Sequence, residues 1–334
     1  MFNKNLYNAA YHKEDISKVK FLITGGAGFI GSNLVEYLLK FGAGHVRVLD
    51  NLSNGYYDNI KNFVGLPNFE FIEGDILDLE TCKKAVEGIN FISHQAALGS
   101  VPRSIADPIT SNAVNITGFL NMLVAAKESQ SIKKFVYAAS SSTYGDSTEL
   151  PKVEGREGCP LSPYAVTKAV NEMYAEVFSH IHKFHTIGLR YFNIFGPKQN
   201  PNNPYAAVIP IFCKAFNEDE RPIINGDGET SRDFTFVENA VQANIKAMLV
   251  MGVERHEVFN VACGDQITLN EIIDSLCMIS SKDIKPKYRM EREGDIKHSM
   301  ANIEKITRVL GYRPEYKFQQ GLEIVYEWYQ ENKI

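Results

Sequence analysis

Cysteine is scarce in this 334-residue chain, and its five copies (Cys82, Cys159, Cys213, Cys263, Cys277) stand far apart. There is no Cys-x-x-Cys and no paired histidine spacing, which argues against a structural zinc site and fits reduced thiols in a cytoplasm. Positive charge is not in excess. The formal net charge of −5 leaves no basic surface to attract nucleic acid or an anionic membrane. No apolar run approaches the roughly 20 residues that cross a bilayer, and residues 1–20 lack the hydrophobic core of a signal peptide. Internal repeats and low-complexity tracts are also missing. These absences predict a soluble cytoplasmic protein with no metal, nucleic-acid or membrane partner. What remains, 22% charged and 44% hydrophobic residues, is an ordinary globular composition, in a chain long enough to bury a sizeable core.

Residues 1–17 read as a short helical or irregular arm whose role is not legible. The β-rich run Lys18–Thr24 then leads into a glycine turn with Gly25, Gly28 and Gly31, an amphipathic helix from Asn33 to Phe41, and a strand ending in Asp50. Strand, glycine turn, helix, strand and acid, in that order, make a dinucleotide-binding unit. The glycines allow a tight turn, close approach of backbone to a pyrophosphate, and helix–sheet packing; the helix N-terminus faces the phosphates. The spacing, G-x-x-G-x-x-G, is one residue longer than the commoner form. Asp50, about 20 residues on, can accept both ribose hydroxyls and would repel a 2′-phosphate, favouring NAD over NADP.

Strand–helix alternation continues. Phe69–Ile76 is a strand carrying Asp75 near its end, and Phe91–Ala97 is another, ending in small residues that let a cofactor approach. His94 reads as a structural histidine. A long helical stretch, roughly 108–129, holds Asn115, where a polar side chain can brace neighbouring loops. The strand Lys134–Ala139 runs into Ser140, Ser141 and Ser142, at the carboxyl end where doubly wound folds put their ligands. Ser162-Pro163 then starts a helix whose apolar positions Val166, Ala169, Val170, Met173 and Val177 recur at helical spacing. Tyr164 and Lys168 therefore share one face. A phenol ordinarily ionises at about pH 10; a neighbouring ammonium favours the phenolate, a route to a tyrosine general base.

After the strand Thr186–Asn193 the alternation loosens. The expected architecture is α/β: a doubly wound parallel sheet (Rossmann) over 18–193, with a returning segment at about 233–262. Residues 194–232 and 263–334 form a smaller, mixed substrate lobe. Arg232 and Arg292 are candidates to clamp a diphosphate, because guanidinium donors match phosphate oxygens in pairs.

With the glycine turn, Ser140, Tyr164 and Lys168 in place, the chain resembles the extended short-chain dehydrogenase/reductases. Within them, the stretches 94–104, 137–146 and 205–210 resemble the bacterial UDP-N-acetylglucosamine 4-epimerases of polysaccharide biosynthesis. That resemblance implies a tightly bound NAD, a UDP-sugar substrate and a homodimer built on the helices near 108–129 and at Tyr164. It implies Ser140, Tyr164 and Lys168 as catalytic residues. Phe29, Ile30, Asn51, Asp75, Ile76, Gln95, Ala96, Ala97, Asn115 and Tyr191 join the glycine turn and Asp50 around the cofactor. Gly99, Ser100, Arg103, Ser141 and Ser142 border the sugar, and Asn193, Ala207, Val208, Asn225, Arg232, Arg292 and Asp295 hold UDP. Ser299 sits where glucose-restricted relatives resemble it with a tyrosine, so a serine leaves room for a 2-acetamido group. The chain departs from the group at Gly196-Pro197-Lys198-Gln199 and Pro204-Tyr205, which touch the pocket's lid. A dehydratase of the same superfamily needs an Asp-Glu pair where Ser141 and Ser142 stand. The residues also leave open a nucleotide-sugar oxidoreductase, which would exchange NAD(H) at each turnover, and a non-catalytic NAD sensor.

Overall fold

Phe21, Leu22 and Ile23 are all fully buried, as a strand covered on both faces requires. They form the centre of strand β1 (Lys20–Thr24) in a computed structural model that describes residue 3 and residues 6–203, 205–291 and 297–332. The other strands of its sheet are β2 (His45–Asp50), β3 (Phe69–Glu73), β4 (Phe91–His94), β5 (Lys134–Ser140), β6 (Thr186–Tyr191) and β7 (Glu257–Val261). The seven run parallel in the order β7-β6-β5-β4-β1-β2-β3. The chain winds outward from β1 to β3, then crosses back to lay β4 on the other side of β1. That reversal opens a crevice beyond the carboxyl ends of β1 and β4, the place where doubly wound sheets bind ligands.

Alternate residues of β1 feed two cores. Phe21 and Ile23 pack with helices Phe29–Lys40 and Val237–Leu249, and Leu22 packs with helices Leu79–Val86 and Phe119–Glu128. The fold is the expected doubly wound α/β sheet with a smaller mixed region, in which helices Val208–Asn217, Leu269–Ser280 and Phe318–Asn332 accompany short strand pairs. Strand β7 returns to the main sheet beside β6.

Three readings change. The helical run Pro108–Glu128, 21 residues, is long and apolar enough to cross a bilayer by length and composition, contrary to the expectation of no such run. Here Phe119, Met122, Leu123, Ala125 and Ala126 are spent on the second core. The helix Pro163–His182 forms as expected, capped by Ser162, whose hydroxyl accepts the Ala165 N–H at 3.1 Å. Its inner face, however, is small and polar (Ala165, Thr167, Lys168, Asn171, Ala175, Ser179), while Val166, Met173 and Val177 of the apolar stripe point outward. Finally, the arm is part of the core: Leu6 and Tyr7 are fully buried and Tyr11 and Ile16 nearly so. Tyr11 stacks on Tyr37 of helix Phe29–Lys40 with ring centroids 5.5 Å apart.

Candidate active site

The glycine turn follows β1. Gly25 has φ +66°, and a Cβ there would come within 2.7 Å of the Ala96 amide, so the left-handed turn and the close approach of β4's loop both require glycine. Helix Phe29–Lys40 begins at Gly28 with no side-chain cap and no acid in its first turn. Its unpaired N–H groups and positive dipole end are left facing the crevice, ready for an anion. At the end of β2, Asp50 is buried; burial raises its carboxyl pKa, opposed by N–H bonds from Leu52 (2.8 Å) and Ala27 (2.9 Å). The uncapped, acid-free helix end and the glycine cradle fit a dinucleotide pyrophosphate, and Asp50 fits its ribose.

The crevice has a volume of about 560 Å³. Of the cofactor residues expected, Gly25, Gly28, Phe29, Ile30, Gly31, Asp50, Asn51, Asp75, Ile76, Gln95, Ala96, Ala97, Tyr164, Lys168 and Tyr191 all line it. So do Gly99, Ser140, Ser141, Ser142, Asn193 and Ala207 from the substrate set. An adjoining cavity of about 330 Å³ shares Asn193 and Ala207 and adds Val208, Asn225 and Arg232.

Four expected residues line neither cavity. Asn115, in a π-helical turn, accepts the Leu98 N–H (2.8 Å) and donates to the Leu98 carbonyl (3.2 Å) and to Thr167 Oγ1 (3.2 Å). It braces the 96–99 loop rather than touching the crevice. Ser100 caps the helix Val101–Ala106, accepting the Arg103 N–H. Arg103 donates to Asn54 Oδ1 at 3.2 Å and lies 5.1 Å from the Tyr205 ring centroid. Ser299 gives its N–H to the Ser231 carbonyl at 3.2 Å, beside the strand that carries Arg232. Arg292 and Asp295 lie outside the described residues.

Tyr164 and Lys168 stand one turn apart with the Lys168 ammonium 5.9 Å from the Tyr164 ring centroid. The ammonium also has a hydrogen-bond partner of its own. Lys168 Nζ donates to the Ala138 carbonyl at 2.7 Å, and burial pushes its pKa down to about 8, with Glu172 opposing. Burial raises the Tyr164 phenol above its ordinary value, opposed by a hydrogen bond with Ser140. Ser140 also accepts the Ser142 hydroxyl at 2.9 Å, so the serines form a short chain of hydroxyls leading to the phenol. His94 bonds Thr24 Oγ1 at 2.8 Å, and burial, with the Lys168 charge, pulls its pKa down to about 3. It is a neutral core residue, as expected.

Sequence reasoning missed two groups. Asn54, Tyr56, Asn200 and Asn203 line the crevice from two facing loops joined by Asn203 Nδ2 to Asn54 Oδ1 (3.2 Å) and Asn200 Nδ2 to Tyr56 OH (2.5 Å). The Gly-, Pro- and Asn-rich composition of the second loop marked it as irregular but not which side chains turn inward. The other is Asn244, fully buried on the returning helix. Its Oδ1 accepts from Ser93 Oγ (3.0 Å) and Gln95 Nε2 (3.1 Å), its Nδ2 donates to Tyr191 OH (2.7 Å), and Tyr191 OH donates to Gln95 Oε1 (3.1 Å). This closed ring orients Gln95 and Tyr191 on the crevice floor. Replacing Asn244→Leu strands several buried polar groups at once and is expected to cost about 2–4 kcal/mol, measured as a lowered urea midpoint with an unchanged slope.

Comparison with known proteins adds a family and several relatives. The family model for GDP-mannose 4,6 dehydratase matches residues 22–325. A solved UDP-N-acetylglucosamine 4-epimerase of Methanobrevibacter ruminantium, in complex with UDP-N-acetylmuramic acid, is 38% identical; the match covers 94% of this chain and 99% of that one with a TM-score of 0.89. A putative UDP-glucose 4-epimerase of Methanocaldococcus jannaschii is 33% identical over 93% of this chain and 98% of its own. The UDP-glucose 4-epimerase of Thermus thermophilus, solved with NAD, is 30% identical over 93% of this chain and 99% of that one, with a TM-score of 0.82.

Proposed function

The chain belongs to the GDP-mannose 4,6 dehydratase family of extended short-chain dehydrogenase/reductases, and on that basis we propose that it is a UDP-sugar 4-epimerase using NAD, with UDP-GlcNAc and UDP-GalNAc as its pair. The observation that carries the reading is the wall around Tyr164. Ser140, Ser141, Ser142 and Lys168 surround it, and the acids among the described lining residues, Asp50 and Asp75, belong to the nucleotide-binding end at β2 and β3. A 4,6-dehydratase must remove water with a carboxyl acid–base pair beside the reacting hydroxyl. Hydroxyls cannot do this at neutral pH, whereas an epimerase needs one proton acceptor and a positioned oxygen donor.

NAD⁺, held by the glycine turn and Asp50, would supply the hydride acceptor and, once reduced, the hydride donor. Tyr164 Oη takes the proton of the sugar's 4-hydroxyl, and Ser140 hydrogen-bonds the oxygen that becomes the 4-keto carbonyl. Lys168 keeps positive charge on the floor of the site. The keto sugar turns over in the crevice, and Tyr164 returns the proton to the carbonyl oxygen when the opposite face is reduced. Asn193, Ala207, Val208, Asn225 and Arg232 hold the nucleotide in the adjoining cavity while the hexose rotates. The outward stripe of Val166, Met173, Val177 and Ile181, with Ile105 and Ile109 nearby in the fold, is the face we assign to a second copy of the chain. Five unpaired thiols agree with a cytoplasmic enzyme.

The test is to incubate purified protein, with no added NAD, with UDP-GlcNAc and separately with UDP-glucose, following the 4-epimers by proton NMR. Appearance of UDP-GalNAc at the higher rate is the expected result. Faster conversion of UDP-glucose overturns the sugar assignment. No epimer from any UDP-hexose, with bound NAD demonstrated, overturns the reaction.

A further inference from the structure

The arm before residue 22 precedes the family match, yet it reaches the crevice through a chain of hydrogen bonds. Tyr7 OH donates to Asn33 Oδ1 at 2.8 Å. This fixes which way the Asn33 amide faces, so its Nδ2 donates to the carbonyls of Phe29 (2.9 Å) and Pro197 (3.1 Å). Pro197 opens the loop whose next residues, Lys198, Gln199 and Asn200, line the crevice. Lys198 sits at φ +73°, a left-handed conformation that a lysine does not choose unaided. It is held there by Glu36, one turn beyond Asn33 on the same helix, with Nζ–Oε2 at 2.7 Å. Asn33 and Glu36 are almost completely buried, so both ties lie out of competition with water.

We infer that the arm is a positioning strap for the crevice wall. Tyr7 acts through Asn33 on the loop at Pro197–Asn200 and so sets how firmly the nucleotide cofactor is retained. This rests on the cofactor assignment above. Without the Tyr7 hydroxyl, Asn33 Oδ1 is a buried acceptor that has lost this donor, and the amide is held only from its Nδ2 side, by the Phe29 and Pro197 carbonyls. The loop's tie to the helix is then weaker, while the ring of residue 7 and the core around it remain.

A matched control exists in the same arm. Tyr11 is also a buried tyrosine; its hydroxyl donates to Glu238 Oε1, which also accepts the Tyr7 N–H (2.9 Å), but not to Asn33 or the loop, so it shares the arm's backbone anchor and not the strap. The experiment compares full-length wild type, Tyr7→Phe, Tyr11→Phe and Asn33→Asp, the last able to accept from Tyr7 but unable to donate to Pro197. Each is measured for bound NAD after gel filtration, for the NAD release rate, and for epimerisation with and without added NAD. Tyr7→Phe and Asn33→Asp are expected to release NAD about tenfold faster than wild type and to regain activity when NAD is added. Tyr11→Phe is expected to match wild type. The inference is overturned if Tyr7→Phe holds NAD as wild type does, or if Tyr11→Phe loses it equally, which would make the arm a stabilising element only. A wild type that holds no NAD would instead overturn the cofactor assignment.

Discussion

Tyr164→Phe is expected to lower kcat by about 10²–10⁴-fold while leaving the fold intact. The substitution keeps the ring and removes the single atom to which we assign the proton transfer. The structural loss is one hydrogen bond with Ser140, worth about 1 kcal/mol. Proton NMR of UDP-GlcNAc turnover and a thermal melt together separate the two effects. Activity retained within tenfold would remove Tyr164 from the proton transfer. The pH profile of the wild type tests the same arrangement. The phenol must lose its proton to act, and burial raises its pKa, so activity rises with pH on the acid side. Lys168 is pulled down to about 8, so its charge is present below that value and lost above it. The rate is therefore expected to stop rising at about pH 8, where further gain of phenolate is offset by loss of the ammonium.

Gly31→Ala is the second large effect. A Cβ at Gly31 would lie 2.2 Å from the Gly25 carbonyl oxygen and 2.8 Å from the Gly25 carbonyl carbon and the Gly26 Cα. All three are backbone atoms of the phosphate-facing turn, so no side chain can swing aside. The helix must instead move off the turn, which costs about 1–3 kcal/mol as overpacking. That movement carries the helix N-terminus and its free N–H groups away from the pyrophosphate position. The expected result is protein purified without NAD, inactive on UDP-GlcNAc, and not rescued by added NAD, together with a lowered melting temperature. Bound NAD at the wild-type level would show that the turn does not grip the cofactor through this approach. Gly99→Ala is the contrast: its Cβ would stand 4.0 Å from the Tyr164 hydroxyl, an ordinary contact, so cofactor retention is expected to survive.

Much of this arrangement is determined by sequence alone, because its signals are local. The order strand, glycine turn, helix and acid follows from chain-neighbour geometry, and Gly25, Gly31 and Asp50 stand where that order requires. Tyr164 and Lys168 share a face because four residues make about one helical turn. The serine run lies at a strand end because β5 stops there. Tertiary structure decided what depends on distant partners. The family resemblance puts Asn115 at the cofactor and its place in a helix lets it brace a loop; the packed loops decide for the brace, with its amide spent on Leu98 and Thr167. The stripe from Val166 to Val177 sets the helix's period but not its direction; the sheet accepts the smaller face because Ala165, Ala175 and Ser179 allow close approach. Spacing alone puts Lys168 beside Tyr164, but only the packed structure brings its ammonium to the Ala138 carbonyl, 30 residues back in the chain. The arm and Asn244 are silent in the sequence for the same reason: their hydrogen-bond partners are separated from them by tens to hundreds of residues, and spacing carries no record of such pairings.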